Sequence, residues 1–168
     1  MNFAVVGVGT FGVKRASAIK RSKKAKLVAI CDLNQENVLK AQKILDVPNK
    51  TFEEVLNDKN IEIVCICTPN KFHIKMIEDC LKSNKHVFCE KPLCRNLDEA
   101  KKIYEFSKKS NAILQIGSNH RYFESVMYAK KLIDKKVIGE VLSFNGRIGH
   151  NGERLKNSWF WKKDMSGG

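Results

Sequence analysis

Phe3-Ala4-Val5-Val6-Gly7-Val8-Gly9-Thr10-Phe11-Gly12, with Asp32 standing 20 positions beyond the last glycine, is the stretch that decides the fold. The apolar run Phe3 to Val8 is rich in valine and breaks at glycine, the pattern of a strand buried on both faces. A helix follows from about Phe11 to Lys20. Gly7 permits a tight turn, Gly9 lets backbone approach a pyrophosphate that a side chain would block, and Gly12 lets helix and strand pack closely. At Thr10 and Phe11 the helix start turns free amides and the positive end of its dipole toward such an anion. A bare Gly-x-Gly-x-x-Gly is weak, and the alternative is a glycine turn without a ligand. Its setting, after a buried strand, opening a helix and followed by an acidic residue, makes it a dinucleotide signature.

Outward from this turn the pattern repeats. Lys26-Leu27-Val28-Ala29-Ile30-Cys31 is a strand ending at Asp32, and Asn37 to Leu45 carries Val38, Ala41, Ile44 and Leu45 at helical spacing. Phe52 to Leu56 reads as a short helix and Ile61 to Cys67 as the most strand-like stretch. Phe72 to Leu81 is helical and His86 to Cys89 is a strand. Asn96 caps a helix running to about Ser110, with Glu99 at the capping-box position, and Ala112 to Ile116 is a further strand. Strands alternating with helices predict an α/β fold with a doubly wound parallel sheet and right-handed crossovers. Beyond Arg121 a helix from about Val126 to Lys135, a turn at Gly139-Glu140 and an alternating strand from Val141 to Ile148 begin something different. The expected division is a dinucleotide-binding domain over 1-121 and the incomplete beginning of an α/β substrate domain over 122-168.

With 168 residues, 43% of them hydrophobic, the chain can bury one core and begin a second. No apolar run approaches the roughly 18 residues of a membrane span, and no basic region precedes the apolar residues after Met1. A cytoplasmic protein with no membrane partner is expected. Of the six cysteines, four lie in or at the ends of strand-like runs and read as buried thiols. Cys65-Ile66-Cys67 puts two thiols on one face of a strand, but no second pair completes a zinc site, so no metal is expected. The net charge of +13 raises the question of nucleic acid. The lysines are scattered over every helix, and the densest patch, Lys20 to Lys26, falls where the first helix ends and cations suit the macrodipole. No nucleic-acid partner is expected.

Asp32 can accept hydrogen bonds from an adenosine ribose and repels an added 2′-phosphate, so NAD is expected ahead of NADP. Leu33-Asn34 supplies no arginine for that phosphate, although Arg15 and the lysines keep NADP in view. Alternatively, Asp32 caps the next helix. Three further segments lie outside the carboxyl ends of strands, where an open parallel sheet holds ligands. They are Thr68-Pro69-Asn70 with His73, Glu90-Lys91-Pro92, and Gln115 through Arg121, which includes Asn119. Each has a plainer alternative: Asn70 as a helix cap, Lys91 as a solvated lysine, Arg121 as the partner of an acid.

Taken together, these segments resemble the Gfo/Idh/MocA family, which includes glucose-fructose oxidoreductase and inositol dehydrogenase. The resemblance rests on Gly7 to Gly12, Thr68-Pro69-Asn70-x-x-His73, Glu90-Lys91-Pro92 and Gln115-x-Gly117-x-Asn119-x-Arg121-Tyr122. It implies a Rossmann domain followed by an α/β domain whose open sheet covers the nicotinamide and commonly mediates oligomerisation, hence a homo-oligomeric full-length protein. The implied reaction is hydride exchange between nicotinamide C4 and a hydroxyl-bearing carbon of a sugar, cyclitol or nucleotide-sugar. Cofactor contacts are implied at Gly7, Gly9, Thr10, Phe11, Gly12, Asp32, Thr68, Pro69, Asn70, His73, Glu90, Lys91, Asn119 and Arg121. Lys91 resembles the family lysine that hydrogen-bonds the reacting oxygen and is the expected catalytic residue. The stretch Trp159 to Gly168 resembles the lead-in to an Asp-x-x-x-His element that supplies catalytic partners, and the sequence ends before that element. His150, in an Asn-Gly-rich loop, is no evident substitute, and His86 and His120 are weaker still. Little activity is therefore expected of the chain alone. The alternative is a non-catalytic NAD-binding or sensing module, which would share every Rossmann feature.

Overall fold

Valine- and isoleucine-rich strands without polar alternation are stable only with helices on both faces. The computed structural model, which describes residues 1–147, 149 and 151–167, has that arrangement. Strands β1 (Asn2–Val6), β2 (Lys26–Cys31), β3 (Ile63–Ile66), β4 (His86–Glu90) and β5 (Leu114–Gly117) form one parallel sheet in the order β2-β1-β3-β4-β5. Beyond β2 a single bridge joins Ile30 to Asn49: the Ile30 N–H donates to Pro48 O at 3.0 Å and the Lys50 N–H to Ile30 O at 2.9 Å. This stub stands where a Rossmann sheet carries its outer edge strand, and the chain reverses direction across the sheet between β1 and β3. The fold is a Rossmann-like α/β fold.

The register divides the core in two. Ala4, Val6, Val64, Ile66 and Val87 pack on one face with Val55 of α3 (Phe52–Asn57), Ile77 of α4 (His73–Lys82) and Ile103 of α5 (Leu97–Lys108). Val5, Ile30 and Cys65 pack on the other with Ala16 of α1 (Thr10–Arg21) and with Ala41 and Leu45 of α2 (Gln35–Leu45). Helix α2 starts two residues before the expected Asn37 because Asn34 caps it, accepting from Glu36 N at 2.9 Å and Asn37 N at 3.3 Å. Strands β1 and β3 are shorter than the apolar runs Phe3–Val8 and Ile61–Cys67. Gly7, at φ +86°, turns the chain out of the sheet, and Cys67 is already loop.

The six cysteines are free thiols. Burial pushes Cys31 up to about 11 and Cys80 up to about 12, while contact with the Cys65 sulfur and burial push Cys67 far up. Thiols kept protonated in this way contribute packing rather than nucleophiles. Among the described residues no helix is long and apolar enough to cross a membrane.

The chain forms two compact units, Met1–Gly117 with the segment from Asn157 onward, and Ser118–Lys156. The second contains the 3-10 turn Asn119–Tyr122 and helix α6 (Glu124–Asp134), none of whose residues is buried. The alternating strand expected over Val141 to Ile148 does not form in residues 141–147, and Ile148 lies outside the described residues. Alternation marks a half-buried strand only where a neighbour completes the ladder, and no described segment pairs with this one. In the first unit the last helix, α7 (Lys163–Ser166), packs beside the 3-10 turn Asn70–Phe72.

Ile66 is fully buried at the centre of the sheet. Ile66→Ala should cost about 2–5 kcal/mol in urea unfolding, with the range set by how far the cavity collapses. A loss below about 1 kcal/mol would place Ile66 outside the tightly packed core.

Candidate functional site

The turn between β1 and α1 is built from backbone contacts that only glycine allows. A Cβ on Gly12 would stand 1.8 Å from the Gly7 carbonyl oxygen, and one on Gly7 would stand 2.8 Å from the Cys67 carbonyl carbon and the Thr68 nitrogen. Gly9 is the opposite case, because a Cβ there meets nothing within 4 Å. Gly9 is also the N-cap of α1, with no side-chain cap and no acidic residue in the first turn. The helix therefore presents uncompensated amides and the positive end of its dipole above an open glycine, a cradle suited to a pyrophosphate. Thr10 and Phe11 are exposed on its rim, with Lys14 Nζ 5.5 Å from the Phe11 ring centre.

Asp32, half-buried at the end of β2, is held by the same turn. Its Oδ2 accepts from Val8 N at 2.8 Å and Asn37 Nδ2 at 3.3 Å, and Oδ1 accepts from Asn34 N at 2.8 Å. Asn34, not Asp32, caps α2. A carboxylate offers about four lone-pair sites, so three N–H donors leave capacity for one hydroxyl of a ribose.

Across the switch point, the loops after β3 and β4 come together. His73 is buried, with Nε2 2.8 Å from Thr68 O and Nδ1 3.1 and 3.2 Å from Pro92 O and Leu93 O. Asn70, also buried, donates from Nδ2 to Ser166 O at 2.8 Å. Both side chains thus brace the loops, whereas Thr68, Pro69 and Lys91 lie nearer solvent. Lys91 is exposed, and among the described residues its ammonium has no hydrogen-bond or ion-pair partner. Glu90 is 8% exposed and ion-paired with Arg15 of α1, and its Oε2 accepts from Lys91 N at 3.3 Å. That carboxylate ties α1, β4 and the base of the Lys91 loop together.

Asn119 and Arg121 lie exposed in the 3-10 turn of the second unit. Gln115 is exposed on β5, with Nε2 3.2 Å from Ile116 O. His86 accepts from Ile113 N at 2.9 Å and pins a strand edge, His120 packs against Phe123, and His150 lies outside the described residues.

The motifs do not single out Arg95, and the sequence offers Arg15 only as a counter-charge for a 2′-phosphate; both grip buried carboxylates. Arg15 follows the last glycine by three positions, on the helix face turned to β4. Arg95 grips Glu99, which accepts from Arg95 N and Nε at 2.9 Å and from Nη2 at 2.5 Å. Asn96 does cap α5, accepting from Glu99 N at 3.0 Å. The reciprocal arm of the expected capping box is absent, because the Glu99 carboxylate turns to Arg95.

Residues 1–118 match the family model GFO_IDH_MocA, described as an oxidoreductase family with an NAD-binding Rossmann fold. The chain belongs to this family. It is similar to a 2,7-anhydro-N-acetylneuraminate hydratase of Escherichia coli K12, 32% identical over 170 residues, covering 100% of this chain and 45% of that protein. A myo-inositol 2-dehydrogenase of Thermotoga maritima is 32% identical over 142 residues, covering 83% and 42%. Among solved structures, the scyllo-inositol dehydrogenase of Lactobacillus casei with bound NAD(H) and scyllo-inositol gives a TM-score of 0.78 at 30% identity, covering 83% of this chain and 42% of that one. The chain therefore spans less than half the length of these relatives.

Two outcomes test how this Gfo/Idh/MocA cradle is built. Gly12→Ala should lower unfolding stability by upward of about 3 kcal/mol, since its methyl enters a backbone contact that cannot yield. Gly9→Ala, whose φ of −65° suits any residue, should stay within about 1 kcal/mol of the parent. Equal losses in urea unfolding would contradict the packing described.

Glu99 supplies a pH test. Burial opposes its charged form, but hydrogen bonds from the Arg95 guanidinium and backbone N–H outweigh burial and hold the carboxyl below the usual range. A depressed native value stabilises the fold above the unfolded value of about 4.3 and ceases to as pH falls through the native one. The stability advantage of the parent over Glu99→Gln should therefore shrink on acidification from about pH 6 to about pH 3. An advantage that stays constant would remove the ion pair from the account.

Proposed function

We propose that this chain binds NAD across the Gly7–Gly12 turn, and that the protein it belongs to is an NAD(P)-dependent oxidoreductase. Its reaction would be hydride transfer between nicotinamide and a hydroxyl-bearing carbon of a sugar, cyclitol or nucleotide-sugar. The observation that carries the reading is the open face above Gly9 at an uncapped helix start, with an unpartnered lysine at the end of β4, across the switch point from Asp32. A bound nicotinamide would supply the hydride donor or acceptor. The protein's own work is then to seat the pyrophosphate on the amides of α1, to receive a ribose hydroxyl on Asp32, and to meet the reacting oxygen with Lys91. As a carbinol is oxidised its hydroxyl proton must leave, and Lys91, in its neutral amine form, would take it, returning it from the ammonium in the reverse direction. The single free acceptor site and negative charge of Asp32 favour NAD over NADP. The division at residue 121 and a homo-oligomeric full-length protein belong to the same proposal and rest on the family resemblance.

A second reading, hydration of an anhydro-sugar acid, takes support from the E. coli relative, which aligns across this entire chain. Calorimetric titration should show NAD bound at least about tenfold more tightly than NADP, with Asp32→Ala narrowing the gap. In the full-length protein Lys91→Met should abolish turnover and leave NAD affinity nearly intact. Failure to bind either dinucleotide refutes the cofactor reading, and unaltered turnover in Lys91→Met refutes the role of the lysine. Conversion of a sugar with no net NADH would select the hydratase.

A further inference from the structure

The segment Asp164 to Gly167 lies directly on the loops that border the site. Gly167, at φ +100°, crosses Arg95 so closely that a Cβ would stand 2.6 Å from the Arg95 carbonyl oxygen and 2.7 Å from its Cα. Arg95 Nη1 donates to Asp164 O at 2.6 Å, Asn70 Nδ2 donates to Ser166 O at 2.8 Å, and Lys71 Nζ stands 3.7 Å from Asp164 Oδ2. Acceptors of both short bonds are backbone carbonyls, so what is recognised is the path of the chain rather than its side chains. The guanidinium that does this is itself fixed by the buried Glu99.

All of these grips come from the loops after β3 and β4. His73 already joins those loops, through Thr68 O on one side and Pro92 O and Leu93 O on the other. With the returning segment they make one block. The groups that would take the pyrophosphate and the adenosine ribose, Gly9 and Asp32, lie across the switch point, and none of the contacts just described involves them. An adenosine half seated at Asp32 leaves the nicotinamide half to the ends of β3 and β4, where this block stands.

We infer that Asp164–Gly167 is a strap that fixes the Thr68–Asn70 and Lys91–Arg95 loops, with Arg95 as the positioning residue through which it shapes the nicotinamide half of the site. The inference rests on the dinucleotide reading above. It assigns a role to Arg95, a residue outside the four motifs on which the resemblance rests, and to a segment whose Asp164 lies 69 residues further along the chain.

The test uses this chain with two ligands, NADH and ADP-ribose, the second lacking the nicotinamide half. Arg95→Met should weaken NADH binding about tenfold and move the emission of bound NADH toward that of free NADH, while ADP-ribose affinity stays within about twofold. Arg95→Lys, which keeps the charge and one donor, should recover part of the loss. Gly167→Val should reproduce the Arg95→Met pattern with Arg95 intact, because its side chain collides with the Arg95 backbone. Retained ADP-ribose binding certifies that each variant is folded. Parallel loss of both ligands would reduce Arg95 to a general stabilising role and overturn the strap, as would unchanged NADH binding in both variants. A parent chain that binds neither ligand would refute the dinucleotide reading itself, and the strap with it.

Discussion

Helix α1 meets the turn after β1 backbone to backbone: an ideal Cβ at Gly12 would lie 1.8 Å from the Gly7 carbonyl oxygen. Gly7 in turn rests on the backbone at Cys67 and Thr68, so β1, α1 and the exit of β3 are locked at a separation no side chain permits. From that contact follow the aim of α1 across the sheet, the position of Gly9 at an uncapped helix start, and the line along which a pyrophosphate can approach. Asp32 extends the same constraint to β2, because its carboxylate is bonded to Val8 N within the turn. The half of the site proposed to take the adenosine is therefore set by short-range geometry around a single glycine contact.

The opposite half is set by charges and polar groups taken out of water. Glu90 is matched by Arg15 and Glu99 by Arg95, and at the other end of the strands Lys85 is matched by the carbonyls of Asp58 and Ile61 at 2.7 and 2.8 Å. Among the described residues no buried side-chain nitrogen or oxygen lacks a partner. Breaking such a pair leaves the survivor's desolvation uncompensated, which gives these contacts directional force that apolar packing lacks. The Arg15–Glu90 pair joins α1 to β4, Lys85 joins the start of β4 to the loop before β3, and Arg95, held by Glu99 four residues on, reaches from the loop after β4 to the Asp164 carbonyl of α7.

What was legible in the sequence tracks this difference. The glycine turn, Asp32, the Asn96 cap and the alternation of strands and helices are local signals, each readable within a window of one or two turns, and each has its counterpart in the fold. The stub at Asn49 was not legible because one bridge carries no pattern of its own. Asn70 and His73 were flagged by position, but a spacing of residues cannot tell a side chain that faces a ligand from one that braces the loop beneath it. The strand expected over Val141 to Ile148 failed for a related reason: alternation records a preference for a half-buried ladder, and the ladder also needs a neighbour. Arg15 was legible only as a counter-charge for a 2′-phosphate and Arg95 not at all, because the contacts that tie them to distant elements lie 75 and 69 residues away, at Glu90 and at the Asp164 carbonyl.

That division has a functional consequence. A cradle fixed by glycine contacts tolerates little change at Gly7 and Gly12, where an added atom meets backbone, whereas side-chain grips such as Arg95 on Asp164 O or Arg15 on Glu90 can be exchanged for others of similar reach. A relative named for a hydratase aligns with this chain over its whole length, and one named for an inositol dehydrogenase over 83% of it. In this chain the exchangeable grips surround the block of loops at Thr68, Lys91 and Arg95. There, the position of Lys91 depends on which long-range partners hold its loop, and a change of partner moves that loop while leaving the glycine turn untouched.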